Sequence, residues 1–239
     1  MAYSVLVVQH SKWHPPGKGL VRLARVGQIT LRVVEMWRES AADLAEFDAL
    51  IILGGPCDHD QDGSHPLLGE EKRLVRAWMH LNRPCLGFNL GLHLIAELMG
   101  AVIGPAHVPG TGFVAGHLTH EGKKHPLFHG LRSPLTLFKG HGREIQSPLP
   151  RSMVLLATSK ECMVEACCLE GRPHIVGLQC DNYLGVLEEV GTWRMHRKRP
   201  VAPGQPLAAE LNAATSEKAA ESSATFSLLL HNFITLVGR

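Results

Sequence analysis

The sequence lacks the features that membrane-spanning, nucleic-acid-binding and secreted proteins need. No apolar run approaches the roughly 20 residues that a membrane-spanning helix requires. Lys and Arg number 24 against 22 Asp and Glu, so the chain has no basic excess for contacting nucleic-acid phosphates. The first residues, MAYSVLVVQH, have neither a basic leader nor a small-residue cleavage site. We therefore expect a soluble, cytoplasmic protein with no membrane and no nucleic acid among its partners.

The six cysteines do not form the pattern of a disulfide framework. Cys167 and Cys168 are adjacent, and Cys85 and Cys180 lie in apolar runs, which favours reduced and mostly buried thiols. No CxxC or HExxH pattern is present, and histidines on a strand at i and i+3 point to opposite faces. We expect no metal and no cofactor, although two sets of donors stand close in sequence: Cys57, His59 and Asp60, and His117 and His120.

Strand and helix patterns alternate over the first hundred residues. Apolar runs rich in β-branched residues predict strands, and amphipathic stretches between them predict helices. Alternation at this spacing predicts a parallel sheet with right-handed crossovers. The predicted strands are 3–8, 29–34, 49–53 and 85–88, and the predicted helices lie near 20–26, 66–81 and 90–99.

The helix that ends near Leu81 has the clearest pattern. Ser64 or His65 is expected to cap it, and Leu74 and Trp78 belong to an apolar stripe at helical spacing. Glu71, with the two basic residues that follow it, is expected to face water.

The pattern changes after residue 103. Short β-like runs at 112–120, 135–142, 152–159, 163–170 and 173–180 predict antiparallel additions to the sheet. Residues 182–199 read as a helix, 200–222 as a loop or weak helix, and 226–237 as a closing helix. We expect a single α/β domain over residues 1–239, with a flavodoxin-like, mostly parallel sheet flanked by helices.

The segment Gly87-Phe-Asn-Leu-Gly91 has the pattern of a nucleophile elbow. Glycines two residues before and after Asn89 allow a sharp turn between a strand and a helix, which holds the central side chain in a strained conformation. Backbone amides after such a turn suit an anion or a developing oxyanion.

This segment resembles the signature of the class I glutamine amidotransferases, in which the central residue is a cysteine. Residues 51–56, Ile-Ile-Leu-Gly-Gly-Pro, look like the family's oxyanion turn. Residues 137–142 resemble a strand that carries a tryptophan–histidine pair, and 177–183 resemble a segment of the form Gly-x-Gln-Phe-His-Pro-Glu. The matches come in the family's order, and the type is that of the glutaminase part of GMP synthases. The resemblance implies the family's fold and, for a typical member, a transferase that releases ammonia from glutamine.

The resemblance also implies that the catalytic triad is missing. Asn89 stands where the family has its cysteine, Asp181 where it has its histidine, and Tyr183 where it has its glutamate. An amide nitrogen is delocalised and not nucleophilic, and an aspartate is an anion near neutral pH. The sequence therefore predicts a protein without glutaminase activity, a pseudoenzyme. Asn89 is also a residue that tolerates unusual backbone angles, and Asp181 could simply cap a following helix.

Two functions remain open. In the first, the altered cleft binds a small molecule, an amide or carboxylate resembling glutamine, or a separately encoded partner such as a synthetase subunit. In the second, a rebuilt amidotransferase, hydrolase or lyase site uses Asp181, His93 or His141 with the backbone amides. If Asn89 is buried and packed against Asp181 and no open pocket remains, both ligand-based functions weaken and a scaffold role gains. The residues expected to bind a ligand are Gly54, Gly55, Pro56, Leu90, Gly91, His93 and His141.

Overall fold

A computed structural model describes residues 3–12, 14–27, 29–39, 43–55, 58–61, 67–182 and 214–238. In these ranges the strands are β1 (Tyr3–Gln9), β2 (Ile29–Glu35), β3 (Ala49–Ile52), β4 (Cys85–Phe88), β5 (Ile103–Leu118), β6 (Leu135–Ile145), β7 (Met153–Thr158), β8 (Ala166–Leu169) and β9 (Arg172–Leu178). The α-helices are α1 (Gly17–Val26), α2 (Leu67–Leu81), α3 (Leu90–Leu98), α4 (His120–Lys124) and α5 (Ala214–Val237), and short 3-10 helices lie at Leu44–Glu46 and Pro126–Phe128. None of the described helices is long and apolar enough to cross a membrane.

The strands form a sheet in the order β2-β1-β3-β4-β9-β8-β7-β5-β6. The pairs from β2 to β9 are parallel, and those from β9 to β6 are antiparallel. This confirms the α/β fold with antiparallel additions. The strand β9 joins the two halves, because it is parallel to β4 on one side and antiparallel to β8 on the other.

Both faces of the sheet are covered, so its central strands are apolar on both sides. Along β1, Val5 and Val7 face the cluster that contains α1 and α5, while Leu6 and Val8 face the cluster that contains α2 and α3. This alternation follows from the two-residue period of a strand. The continuous apolar run at residues 3–8 is therefore explained by burial on both faces.

Several expected boundaries differ from the observed ones. The predicted strand 112–120 overlaps the second half of β5, which begins at Ile103, ends at Leu118 and has a register shift between Pro105 and Gly110. The closing helix begins at Ala214 instead of near Phe226, so residues 214–222 of the stretch expected as a loop or weak helix are helical. The caps predicted at residues 64 and 65, residues 183–199 of the predicted helix, and residues 200–213 lie outside the described residues.

One prediction about α2 is wrong. Leu74 and Trp78 are buried as expected, but Glu71, expected to face water, is 1% exposed. Its carboxylate is paired with His10 at the end of β1. Helical periodicity shows which positions share a face, but a buried charge is tolerated only where another element supplies its partner.

Candidate functional site

Loops that follow the parallel strands meet at one edge of the sheet. His10 follows β1, Gly54 and Gly55 follow β3, Asn89 follows β4, and residues 179–182 follow β9. These four strands are neighbours and run in the same direction. Their carboxyl ends therefore lie side by side, which is where open α/β sheets place their binding sites.

Asn89 lies in the sharp turn between β4 and α3. Its φ of 47° and ψ of −101° form a combination that residues with a side chain rarely adopt. Its N–H donates to the carbonyl of Leu178 at 2.8 Å. A Cβ on Gly87 would lie 2.6 Å from the carbonyl carbon of Gly91, and one on Gly91 would lie 2.7 Å from the carbonyl oxygen of Ile52. The chain thus forms the elbow geometry expected from its glycine spacing.

Asn89 and Asp181 are in direct contact. The amide Nδ2 of Asn89 donates to Asp181 Oδ1 at 2.8 Å, and the two residues are 9% and 2% exposed. The backbone of Asp181 is held as well, because its N–H donates to the carbonyl of Phe138 on β6 at 3.1 Å. The amide nitrogen and one carboxylate oxygen therefore pair with each other in a buried position, where polar atoms need such partners.

The glycine turn after β3 packs closely against this pair. A Cβ on Gly54 would lie 2.9 Å from Asp181 Oδ1 and 3.6 Å from the Cβ of Asn89. A Cβ on Gly55 would lie 2.8 Å from Leu90 Cδ2, the first residue of α3. The first amides of a helix have no partner within the helix. Gly55 and Leu90, whose backbone amides we call the amide site, therefore pack together next to the residues that contact the Asn89–Asp181 pair.

His93 lies one helical turn after Asn89 and is buried. Its Nε2–H donates to Gln179 Oε1 at 3.2 Å. Burial lowers the pKa of His93 to about 4, although the hydrogen bond to Gln179 opposes this shift. The ring of His59 stands edge-on to it, with the ring centres 6.3 Å apart. His93 is therefore a neutral imidazole at physiological pH.

His141 belongs to the same hydrogen-bonded group as His93. Its Nδ1–H donates to the carbonyl of Arg143 at 2.8 Å, and Gln179 Nε2 donates to that carbonyl at 3.4 Å. The link from His93 through Gln179 to Arg143 and His141 joins α3, the end of β9 and β6. The predicted histidines thus form one group, and Asn89 with Asp181 forms another.

Arg143 also carries two ion pairs that the sequence pattern did not reveal. Its Nη2 lies 3.0 Å from Asp60 Oδ2, and its Nε lies 3.5 Å from Asp58 Oδ2. Both acidic residues belong to the segment 58–61. Arg143 lies two residues after His141. Its closeness to a candidate site residue was the sign in the sequence that it belongs to the site.

His10 and Glu71 are a second feature that sequence reasoning missed. His10 Nε2 lies 2.6 Å from Glu71 Oε1, and the side chains are 5% and 1% exposed. The other ring nitrogen, Nδ1, is 3.3 Å from the carbonyl oxygen of Gly54. Burial alone would lower the pKa of His10, but the charge of Glu71 and the hydrogen bonds to it and to the Gly54 and Leu53 carbonyls raise it. In the sequence, the only sign of this pair was a histidine shortly after the first predicted strand.

Two predicted site residues, Pro56 and Tyr183, lie outside the described residues, as does Cys57. Cys85 and Cys180 are buried and free, and burial raises the pKa of both thiols, so neither is an activated nucleophile. In the described ranges, no group of three or more histidine, cysteine, aspartate or glutamate side chains is arranged to hold a metal ion.

A mostly parallel sheet with a glycine-flanked elbow at its carboxyl edge defines a class of α/β proteins. Residues 18–180 match the family described as glutamine amidotransferase class-I. That range is more than half of the 239 residues, and the chain therefore belongs to the class I glutamine amidotransferases.

Similar proteins agree with this assignment. The chain is 27% identical over 169 residues to YfeJ, a glutamine amidotransferase-like protein of Salmonella typhimurium, in a match that covers 67% of this chain and 66% of that protein. It is 32% identical over 117 residues to a subunit of the glutamine-hydrolyzing GMP synthase of Methanoculleus marisnigri, covering 49% of this chain and 60% of that protein. The chain thus matches less than two thirds of the length of either relative.

Solved structures share the fold. A glutamine amidotransferase from Thermotoga maritima is 19% identical, with a TM-score of 0.81 and full coverage of both chains. Another, from Methylobacillus flagellatus, is 21% identical, with a TM-score of 0.83 and coverage of 98% of this chain and 95% of that one. At these identities the likeness concerns the fold alone.

Proposed function

We propose that this protein is a glutamine amidotransferase-like protein without glutaminase activity. The observation that carries the proposal is the buried hydrogen bond from Asn89 Nδ2 to Asp181 Oδ1 at 2.8 Å. It joins the two positions that we assign, by the motif resemblance, to the family's nucleophile and general base.

Hydrolysis of glutamine by the family's route needs a nucleophile and a group that transfers protons. The amide nitrogen of Asn89 has no free electron pair to attack a carbonyl carbon, and here it is engaged as a donor. Asp181 Oδ1 is engaged as the acceptor of that hydrogen bond. We assign Tyr183 to the position of the supporting carboxylate, which it cannot replace in charge.

A rebuilt enzyme is the alternative, with Asp181, His93 or His141 as the proton-transfer group. Asp181 is bonded to Asn89, His93 to Gln179 and His141 to the Arg143 carbonyl. A general base must be able to reach the proton that it removes, and these contacts favour the non-catalytic proposal.

The remaining role we propose is binding. The turn Gly54-Gly55 and the elbow residues Leu90 and Gly91 keep the backbone that suits an amide or carboxylate. One of the relatives carries the name of a GMP synthase subunit, and a subunit works with another chain. We therefore propose a small amide or carboxylate as the first occupant of this cleft, and a separately encoded partner protein as the second.

Release of ammonia from glutamine tests the proposal. The unchanged protein, Asn89→Cys and the double variant Asn89→Cys/Asp181→His are compared, with Asn82→Cys as the control because Asn82 also has a positive φ, of 52°. We expect no ammonia above the blank from the unchanged protein. Turnover by the unchanged protein would contradict the proposal. Turnover by the double variant alone would show that these two substitutions removed the activity.

Sedimentation velocity tests the partner. The chain is mixed with the synthetase subunit of GMP synthase from its own organism, with and without glutamine. A faster boundary at a fixed stoichiometry is the expected result. Independent sedimentation of the two chains at micromolar concentration would rule out this partner and leave the small ligand, which calorimetry with glutamine and glutamate would then address.

A further inference from the structure

The His10–Glu71 pair lies directly behind the turn that forms half of the amide site. Both side chains are almost fully buried, and the pair joins the end of β1 to α2. A buried ion pair is weak evidence for stability, because removing two charges from water costs about as much as their attraction returns. Its contacts are therefore more informative than its presence.

The contact that matters is with Gly54. His10 Nδ1 lies 3.3 Å from the Gly54 carbonyl oxygen, and a Cβ on Gly55 would lie 3.0 Å from His10 Cγ. The imidazole thus touches the turn on one side. On its other side, Gly54 faces Asp181, since a Cβ there would lie 2.9 Å from Asp181 Oδ1.

The Gly54 carbonyl and the Gly55 N–H belong to the same peptide unit. The cis peptide bonds of the described residues precede Pro134 and Pro148, so this unit is trans, and its C=O and N–H point in opposite directions. A donor that holds the carbonyl therefore fixes the N–H on the far side. A charged donor also polarises the peptide, which makes the N–H a stronger donor.

We propose that His10, held by Glu71, orients and polarises the Gly54–Gly55 peptide, so that the pair acts as a positioning device for the amide site. The proposal rests on the proposed binding function, because it concerns the group that would receive a carboxylate or amide oxygen. His10 and Glu71 are positioning residues and do not themselves touch the ligand.

The sequence provides a direct probe of this peptide. Gly54–Gly55 is the only Gly–Gly pair in the 239 residues. Protein labelled with glycine carrying carbonyl ¹³C and ¹⁵N therefore gives a single carbon–nitrogen correlation from a glycine to a glycine, which is the Gly55 amide. Labelled histidine reports the ring of His10 in the same pH titration.

In the unchanged, ligand-free protein, we expect the Gly55 amide and the His10 ring to titrate with the same midpoint. The groups facing His10 are the Glu71 carboxylate from α2 and the Gly54 and Leu53 carbonyls from the turn after β3. Glu71→Gln removes the charge with little change of shape, so both midpoints should move together to lower pH. His10→Gln should abolish the Gly55 transition.

His125→Gln is the matched control. His125 is also a buried histidine, and its Nε2–H donates to the Pro173 carbonyl at 2.8 Å. Its substitution should leave the Gly55 titration unchanged. A Gly55 amide that does not titrate with His10 in the unchanged protein would overturn the proposal without any variant, as would an equal response to His125→Gln. Glutaminase activity would contradict the proposed function but leave this result intact.

Discussion

The parallel half of the sheet, from β2 to β9, and the antiparallel half, from β8 to β6, each contain a buried ion pair in a different setting. In the parallel half, His10 and Glu71 contact the turn at Gly54. In the antiparallel half, Lys139 Nζ lies 2.7 Å from Glu165 Oε1, with side chains 3% and 0% exposed, and Ser159 donates to the same carboxylate.

The difference shows that burial of a charge does not by itself mark a site. The two pairs are similar in distance and exposure, but parallel strands bring several carboxyl ends to one edge, whereas antiparallel strands alternate theirs. The pair in the parallel half therefore lies where backbone amides of different strands converge. The other pair joins β6 to the loop before β8 and has a structural contact with Ser159.

The largest expected effect is a difference in stability when the glutamate of each pair is replaced, because different basic residues are left behind. Glu165→Gln leaves a buried lysine ammonium, whereas Glu71→Gln leaves a histidine that can become neutral, since the ordinary pKa values are about 10.4 and 6.5. We expect Glu165→Gln to cost about 3–5 kcal/mol of unfolding free energy and Glu71→Gln about 1 kcal/mol in urea titrations at pH 7. The double variant Lys139→Met/Glu165→Leu should recover most of the first loss. Equal losses in the two single variants would contradict this account.

A second expected effect concerns acid. The pKa of His93 is lowered to about 4 in the folded protein, against about 6.5 when unfolded. The unfolded chain binds the extra proton between these values, so stability falls as pH falls from about 6.5 to about 4. The full loss is about 3 kcal/mol.

His93→Gln should flatten this part of the stability profile. His125→Gln, at the residue that precedes the 3-10 helix Pro126–Phe128, should flatten it less, because the pKa of His125 is lowered by a less complete burial. Thermal unfolding between pH 4 and 7 measures both slopes. A profile unaffected by His93→Gln would show that this imidazole is not held neutral by the fold.

The smallest expected effect compares two asparagines with positive φ. Asn89→Ala removes a residue that tolerates a positive φ and also removes the donor to Asp181. Asn82→Ala removes mainly the tolerance of a positive φ, because Asn82 only accepts a hydrogen bond at 3.2 Å from His174 at the surface. We expect about 2–3 kcal/mol for Asn89→Ala and about 1 kcal/mol for Asn82→Ala. Asn89→Gly also loses the donor to Asp181 but adopts a positive φ without strain, so its cost in stability should lie between these two values. Equal costs would show that the Asp181 contact contributes nothing.

The sequence by itself predicted the α/β fold, the antiparallel additions and the elbow at Asn89. Local patterns carry these features: two-residue alternation, helical spacing, and glycines at fixed distances from the turn. Boundaries were less accurate at β5, where an irregularity interrupts the strand, and at α5, whose first residues, rich in alanine and serine, resemble a loop in composition.

The tertiary structure alone decided that His10 meets Glu71. These residues are 61 apart and no local pattern encodes their contact, whereas Asn89 and Asp181, 92 residues apart, were both assigned to the family's triad by the motif resemblance. Glu71 shows the reason most clearly. Its position on α2 is set by helical periodicity, but whether a carboxylate there faces water or a buried imidazole depends on where β1 ends, because a charge can be buried only when its partner is already in place.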